Sequence, residues 1–230
     1  MTVDLGGGFS LRRAAADDHA AMRMVCLRTG DSGKDATGRE DDPDLLGILY
    51  AVPYQVLEPD FAFVVETEGG VCGYVLGALD TPHFNQQLER DWFAPLRQQV
   101  SDPGPDQSRW RGSDWARYRI HHPELVFPPA LRPYPSHGHI DLLPEAQGRG
   151  IGRQAMEILM HGLATAGSPG LFLGVSPTNR RARHFYAKLG FATLTSANLP
   201  RRTTFMARRL PSPVRDTPNR GGGRGPGRPR

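Results

Sequence analysis

A glycine-rich segment in the C-terminal half carries the clearest chemical signal in this sequence. Residues 139–156 read HIDLLPEAQGRGIGRQAM, in which a strand-forming run is followed by a short turn and by the start of a long helix. Three glycines, at alternate positions from Gly148 to Gly152, let the backbone approach a ligand closely and point several N–H groups at one place. The helix N-terminus adds about half a positive charge, so the turn suits a pyrophosphate, with Arg149 and Arg153 as direct contacts.

Two other phosphate-binding motifs are excluded by spacing. A P-loop ends in Gly-Lys-Ser/Thr, and the turn contains no lysine. A dinucleotide-binding fingerprint has the form GxGxxG after a first strand, with an acidic residue about 20 positions later. The turn here reads GxGxG and begins near residue 147, so neither class of nucleotide site fits.

A second motif lies downstream of the turn. Residues 174–191 read GVSPTNRRARHFYAKLGF, in which Asn179, Ala182, Tyr186 and a closing Gly-Phe pair keep a fixed spacing. Together the two segments resemble the GNAT superfamily of acetyl-CoA-dependent N-acetyltransferases. The first matches that family's pyrophosphate loop, Q/R-x-x-G-x-G/A, and the second matches its helix motif, N-x-x-A-x-x-x-Y-x-x-x-G-F. Both occur in the family's order.

The resemblance implies a fold, a cosubstrate and a set of binding residues. The GNAT fold is a mixed α/β (α+β) architecture, with a central, mostly antiparallel sheet that splays at the acetyl-CoA site and is flanked by helices. Free backbone groups of the splayed strand would bind pantetheine as an added strand does. The implied acetyl-CoA-binding residues are Leu142, Leu143, Gln147, Gly148, Arg149, Gly150, Ile151, Gly152, Arg153, Asn179 and Tyr186.

Acetyl transfer from a thioester to an amine requires a neutral amine, donors for the carbonyl oxygen and a proton for the leaving thiolate. The resemblance assigns the last task to Tyr186, and the alternative is a packed tyrosine whose hydroxyl is satisfied locally. We expect Asn179 to cap its helix and to bond pantetheine or a nearby backbone group, with capping alone as the alternative.

The general base is left open between two side chains of the strand that precedes the turn. His139 and Asp141 lie two residues apart, so they share one face of a regular strand, and histidine has the more suitable unperturbed pKa. Ser136 aligns roughly with a position where some relatives keep a base, and serine cannot act as one. The candidate catalytic residues are therefore Tyr186, Asp141 and His139. The other histidines show no metal-ligand spacing, and we expect no metal site.

The resemblance puts the acceptor near the first helices and the end of a hairpin. The candidates there are Tyr54, Asp80 and Phe84, and an aromatic pocket with one carboxylate would suit a small primary amine. The same residues fit equally well in a core. The expected partners are therefore acetyl-CoA and a small amine acceptor.

A closer resemblance extends towards the N-terminus. The segments PDLLGILYAVPY and VCGYVLGALDTPHF, with the helix around Trp92, resemble the acetyltransferase-like domain at the C-terminus of O-GlcNAcase. The chain then resembles a free-standing, bacterial-type relative of that domain. A catalytically weak or inactive acetyl-CoA-binding module is the main alternative function, and a protein acetyltransferase is another. The intact glycine turn and Tyr186 favour retained activity.

These residues must be positioned by an alternation of strands and helices. Apolar patterning predicts a single domain over residues 1–210, with an irregular insertion at about 80–135. The predicted strands are 9–14, 61–66, 71–79, 138–143, 171–175, 191–195 and 204–208. The predicted helices begin at Asp17 or Asp18 and at Asp42, and cover 81–100, 151–166 and 179–189. The helix in the insertion is predicted to bury Phe84, Leu88, Trp92, Leu96 and Val100 on one face.

Charge and composition limit the remaining function classes. The chain has 230 residues with 28 Lys and Arg and 24 Asp and Glu, a net charge of +4. The segment after Leu210 holds five arginines and one aspartate, so the body is neutral and offers no attraction for nucleic acid or basic protein tails. We expect residues 211–230 to be a disordered Arg/Gly/Pro-rich tail. With no apolar run of about 20 residues and only two cysteines, we expect no membrane segment and a cytoplasmic location.

Overall fold

Runs of β-branched and aromatic residues build the sheet that organises this protein. A computed structural model describes residues 2–211, and the predicted disordered tail lies outside the described residues apart from Pro211. The strands of the described region are β1 (Thr2–Gly6), β2 (Phe9–Arg13), β3 (Ala62–Thr67), β4 (Gly70–Ala78), β5 (Ser136–Leu142), β6 (Gly170–Val175), β7 (Ala192–Thr193) and β8 (Thr204–Arg209).

The helices lie between these strands in the chain. They are α1 (His19–Thr29), α2 (Leu45–Tyr50), α3 (Val52–Leu57), α4 (Thr81–Gln87), α5 (Ala94–Leu96), α6 (Asp114–His121), α7 (Ile151–Thr165) and α8 (Arg180–Lys188). A π-helical segment, Leu88–Phe93, joins α4 to α5. Within residues 2–211, no helix is both long and apolar enough to cross a membrane.

The strands form a single eight-stranded sheet across the described residues, in the order β1-β2-β3-β4-β5-β6-β8-β7. All neighbours are antiparallel except β5 and β6, which are parallel. Those two strands pair only at their first residues, Ser136 with Leu171 and His137 with Phe172, and then separate. The predicted mixed sheet, mostly antiparallel and splayed at one place, is confirmed.

Helix α7 covers one face of the sheet because two strand positions lack side chains there. Gly77 on β4 and Gly138 on β5 are opposite each other in the pairing, and Leu159 of α7 packs over both. A Cβ atom at Gly77 would lie 2.7 Å from a Leu159 methyl carbon, so only glycine lets the helix come this close. Leu159 is fully buried in the main core. Because side chains alternate between the two faces along a strand, residues such as Tyr74 on β4 lie on the other face of the sheet, which α1 contacts.

The N-terminal region differs from the sequence prediction in two ways. A first strand, β1, was not predicted, and it forms a hairpin with β2 through a run of glycines with positive φ angles. Asp18 lies at the N-cap position of α1, as predicted, but its side chain does not cap the helix. Its carboxylate instead accepts hydrogen bonds from Arg12 and from the Ala15 N–H, because the salt bridge to Arg12 turns it towards β2.

The insertion is more ordered than predicted. Helix α6 lies inside the stretch predicted to be irregular, and its buried Ala116 and Ile120 pack with α2 in a second apolar cluster. The predicted continuous helix over 81–100 is interrupted by the π-helical segment. Its wider turn shifts the buried position from Trp92 to Phe93, and the Trp92 indole N–H donates to the Ile48 carbonyl. Helix α3 was also not predicted.

Candidate active site

A cleft of about 880 Å³ opens where β5 and β6 separate. Its walls come from β5, the glycine turn and N-terminus of α7, one side of α8, and the loop that follows α1. The sheet thus brings together two segments that are far apart in the chain and that both carry GNAT-like motifs. Of the predicted acetyl-CoA-binding residues, those that line the cleft are Leu142, Gln147, Gly148, Gly150, Gly152, Arg153, Asn179 and Tyr186.

The register of β5 determines which backbone groups face the split. The Leu143 N–H donates to the Cys72 carbonyl, towards β4. Because backbone groups alternate in direction along an antiparallel strand, the N–H and C=O groups of Ile140 and Leu142 point the other way, into the split. The Leu142 carbonyl accepts a 2.6 Å hydrogen bond from the Gln147 side-chain amide. The two backbone donors that face the cleft are therefore the N–H groups of Ile140 and Leu142.

Leu143 does not offer a backbone group to the cleft. Its carbonyl accepts from the Ala146 N–H, its N–H is used on Cys72, and its side chain is buried. The sequence predicts that the whole strand from Ile140 to Leu143 offers free backbone groups, because the parity of a strand cannot be assigned before its partner is known.

The glycine turn has the shape of an anion-binding site. Gly148 and Gly150 have φ angles of +74° and +83°, and a Cβ atom at either would meet no other atom within 4 Å. Both positions therefore need glycine for backbone shape, and both leave open space in front of the turn. The first hydrogen bond inside α7 joins the Gln154 N–H to the Gly150 carbonyl, so the three preceding N–H groups have no acceptor within the helix.

The other predicted residues of the turn have different surroundings. Gly152 packs closely, since a Cβ atom there would lie 3.2 Å from Leu142 and 3.4 Å from Phe185. The Ile151 side chain is buried, so this residue can contribute to ligand binding only through its backbone N–H. Arg149 donates to the Glu145 carbonyl and lies over the Phe9 ring, and it does not line the cleft.

A loop after α1 forms the wall opposite the glycine turn. The backbone groups of Asp31 and Lys34 bond each other at 2.9 and 3.0 Å, which closes a tight turn through Ser32 and Gly33. The Asn179 side-chain amide donates to the Ser32 carbonyl at 3.1 Å and ties this loop to α8. Lys34 is exposed and lines both the cleft and a smaller cavity of about 350 Å³ beside it.

Asn179 and Tyr186 hold the positions on α8 that the sequence motif indicates. The Asn179 carboxamide oxygen accepts from the Ala182 N–H at 3.0 Å, so the predicted cap is present. Tyr186 is 7% exposed and lines the cleft. Burial, followed by the nearby Asp141 charge, raises the pKa of its phenol. Among residues 2–211 its hydroxyl has no hydrogen-bond partner, so the structure does not show the locally satisfied tyrosine that was the alternative.

His139 and Asp141 form a hydrogen-bonded pair on the face of β5 that they share. The His139 Nε2 atom lies 2.9 Å from Asp141 Oδ2, and the His139 side chain is 37% exposed. Burial alone would lower the pKa of the imidazole, but the charge and hydrogen bond of Asp141 outweigh it and raise the pKa. Asp141 lines the cleft, whereas His139 does not itself line it. The pairing of β5 with β4 runs without a register shift, so both side chains keep the parity that the sequence indicates.

The predicted acceptor residues lie outside the cleft. Tyr54 and Phe84 stack at 4.8 Å, and the Tyr54 hydroxyl bonds His137 Nε2 at 2.8 Å. His137 Nδ1 bonds Thr81 Oγ1, so the group is connected by hydrogen bonds as well as by packing. Asp80 is exposed, and its carboxylate caps α4 by accepting from the His83 N–H. An acceptor role for these three residues stays a prediction.

Several lining residues were missed by sequence reasoning. They are Lys34 with its loop, Phe185, Arg180 and Arg181. The two arginines begin α8 directly after the capping asparagine, and that adjacency was an available signal. The loop after α1 had none, because only the tertiary fold brings it to the glycine turn. Within residues 2–211, no three His, Cys, Asp or Glu side chains gather as a metal site.

The residues of the cleft fit acetyl-CoA. The open space before Gly148 and Gly150 admits a pyrophosphate, and exposed cations stand around it. The split between β5 and β6 leaves a strand-like edge with unpaired N–H groups, which suits the amides of pantetheine.

Comparison with known proteins agrees with this arrangement. The crystal structure of SsHAT superimposes with a TM-score of 0.80 at 33% sequence identity, covering 89% of this chain and all of that one. Protein O-GlcNAcase of Rattus norvegicus is 26% identical over 204 residues, which are 88% of this chain and 22% of that protein. Mycothiol acetyltransferase of Rhodococcus opacus (strain B4) is 27% identical over 184 residues, covering 79% of this chain and 51% of that protein.

The predicted kinship with the acetyltransferase-like region of O-GlcNAcase is confirmed by these matches. The chain spans only about a fifth of the length of O-GlcNAcase and about half of the mycothiol enzyme. The model of the Acetyltransferase (GNAT) family matches residues 35–191, which include the glycine turn, the α8 motif and the split between them. This protein belongs to the Acetyltransferase (GNAT) family.

Proposed function

We propose that this protein is an acetyl-CoA-dependent N-acetyltransferase that acts on the primary amine of a small molecule. The observation that carries the proposal is the split between β5 and β6, where the Ile140 N–H, Tyr186 and Asp141 border one cleft. Acetyl-CoA supplies an acetyl group on a thioester, whose carbonyl carbon an amine nitrogen can attack. The protein must then hold the cosubstrate, remove a proton from the amine and provide one for the leaving sulfur.

The glycine turn and the loop opposite it hold the phosphate end. N–H groups at the start of α7 donate to the pyrophosphate, while Lys34, Arg153 and the arginines of α8 neutralise its charge. The N–H groups of Ile140 and Leu142 bind along the split, and one of them donates to the carbonyl oxygen as charge develops there.

His139 accepts the proton of the amine. A lysine-like amine has a pKa of about 10.4, so it is almost fully protonated at neutral pH and needs a base. The raised pKa of His139 makes it a stronger base than an isolated imidazole. Asp141 stabilises the imidazolium that results.

Tyr186 donates a proton to the leaving sulfur. Its raised pKa keeps the phenol protonated throughout the neutral range, so the donor always carries its proton. A thiolate that is shielded from water is a stronger base than one in bulk water, which favours the transfer.

A small acceptor is favoured by the insertion. Helix α6 packs against α2, and Ser113 and Trp115 both donate to Glu40 in the segment before α2. These contacts fix the insertion over the first helices, where an extended peptide would otherwise lie. The name of the related mycothiol acetyltransferase also indicates a small-molecule acceptor for that protein.

Calorimetric titration with acetyl-CoA tests the first half of the proposal. We expect micromolar-range binding to the wild type and at least a 10-fold loss in Gly150→Asp, because the new side chain adds negative charge and strains a positive φ. Gly104→Asp is the matched control, since Gly104 has a φ of +77° with open space around it and lies in the insertion.

A panel of small amines with thiol detection tests the second half. Release of CoA that depends on an amine, with acetylated product seen by mass spectrometry, is the expected result. Tight acetyl-CoA binding with no turnover on any amine, peptides included, would instead support the catalytically weak binding module.

A further inference from the structure

Tyr74 on β4 is a buried neighbour of the His139–Asp141 pair that sequence reasoning did not identify. The residue is fully buried and stands directly opposite Asp141 in the pairing of β4 with β5. Its hydroxyl donates to Asp141 Oδ2 at 2.6 Å. Its ring stacks on the His139 ring, with centroids 5.7 Å apart and planes 29° from parallel. One side chain therefore contacts both members of the pair.

These contacts determine where the protons are. Asp141 Oδ2 receives both the Tyr74 hydroxyl and His139 Nε2. An ionised carboxylate has only acceptors, so Nε2 must carry a hydrogen. In a neutral imidazole the lone pair then lies on Nδ1. Nδ1 has no hydrogen-bond partner among residues 2–211, so it is the atom of this ring that can accept a proton.

We propose that Tyr74 is a positioning residue that holds Asp141 and the His139 ring so that Nδ1 faces the acceptor amine. The inference rests on the proposed function. In the step that it serves, the amine nitrogen bonds to the acetyl carbon, the carbon–sulfur bond breaks, and the sulfur leaves with the proton of Tyr186. One proton of the ammonium goes to His139 Nδ1 and then to water before the attack, and the second is released to water as the amide forms. Water returns a proton to Tyr186, while Nε2–H stays on Asp141.

The other titratable groups around the pair stay neutral. Burial raises the pKa of Cys26 on α1, beside the Tyr74 hydroxyl, to about 12. Burial also raises the pKa of Tyr74 itself and of Tyr186 on α8. Burial lowers the pKa of His137, the next histidine on the same face, to about 3. The pH dependence near neutrality therefore belongs to His139.

Tyr74→Phe is the direct test, because it keeps the ring and removes the hydroxyl. We expect kcat to fall about 10-fold, with the KM for acetyl-CoA within twofold of the wild type, since one hydrogen bond to a charged group is lost. Without that donor, the pair binds its proton more tightly, so the acidic limb of kcat/KM should move to higher pH. Tyr134→Phe, which removes a hydroxyl far from the pair, should change neither quantity.

Nitrogen chemical shifts of His139 provide a readout that does not need turnover. The wild type should show the Nε2–H tautomer, and in Tyr74→Phe the protonated imidazolium should persist to higher pH. The inference would be overturned if Tyr74→Phe left both the acidic limb of kcat/KM and the nitrogen chemical shifts of His139 unchanged. It would also be overturned if the variant were less stable and neither of these two quantities changed. A wild type that acetylates no amine would refute the proposed function, and the tautomer measurement would still decide the role of Tyr74.

Discussion

At the scale of single residues, three tyrosines show how one side chain takes different roles according to what its hydroxyl contacts. Tyr54 is partly buried, and Tyr74 and Tyr186 are buried. Burial raises the pKa of Tyr54, Tyr74 and Tyr186, so each is a neutral phenol. The Tyr54 hydroxyl is used on His137 and that of Tyr74 on Asp141. The Tyr186 hydroxyl has no partner in the described region and its side chain lines the cleft. It is therefore the tyrosine of these three whose proton is available for transfer.

Replacing Tyr186 with Phe should separate catalysis from binding. We expect kcat to fall about 10- to 100-fold, because the leaving sulfur loses its proton donor. The dissociation constant for acetyl-CoA should stay within twofold, because the ring still packs beside Phe185. Steady-state kinetics and calorimetry measure the two quantities. A variant with unchanged kcat would show that the sulfur leaves without help from this residue.

At the scale of elements, the cleft depends on a short loop that no motif marks. Asp31 and Lys34 close the turn, and Asn179 anchors it to α8, so the loop is braced from both sides. The loop thus presents a lysine to the same cleft as the glycine turn. Lysine is rare in this chain, whose only two are Lys34 and Lys188. The pair provides a natural comparison, because Lys188 is exposed on α8 and does not line the cleft.

Lys34→Gln should weaken acetyl-CoA binding about 10-fold, since a charge-assisted contact to phosphate is lost. Lys188→Gln should leave the affinity unchanged. Titration with S-acetylpantetheine, which has no pyrophosphate, should give the same affinity for Lys34→Gln and the wild type. If both lysine variants lost affinity equally, long-range charge would explain the effect and not a contact made by the loop.

At the scale of the whole molecule, the polar cluster around His137 links stability to pH. Burial, with a smaller effect of the neighbouring His139, lowers the pKa of His137 to about 3, whereas an unfolded histidine titrates near 6.5. The unfolded chain therefore binds a proton between these values that the folded protein does not. The contribution of His137 to the free energy of unfolding is complete above about pH 6.5. It is lost as the pH falls, by at most about 1.4 kcal/mol per pH unit.

Chemical unfolding between pH 7 and pH 4 tests this linkage. His137→Gln removes the titrating group, so its free energy of unfolding should decrease less steeply with falling pH than that of the wild type. His161→Gln, at an exposed position of α7, should keep the wild-type slope. Parallel curves for His137→Gln and the wild type would show that His137 is protonated in the folded protein.

Much of the sheet follows from local patterning. The hairpin β3–β4, the strand before the glycine turn, and helices α7 and α8 lie within a few residues of their predicted bounds. Local signals failed where another element decides the outcome. Strand β1 is short and is held in place by its pairing with β2. The face of α6 that becomes buried is defined only by the packing of α6 against α2. The π-helical segment after α4 places Phe93 inside, which a regular i+4 pattern cannot anticipate.

The sequence by itself determined the family and the ends of the cleft, because the glycine turn and the α8 motif act through backbone shape and capping within a few residues. Only the tertiary structure decided which groups face the cosubstrate. The pairing of β5 with β4 directs Ile140 and Leu142 into the split, sets Tyr74 against Asp141 and brings the Lys34 loop to the glycine turn. These relations depend on strand register and on contacts between residues that are far apart in the chain. Neither can be predicted from the spacing of neighbouring residues.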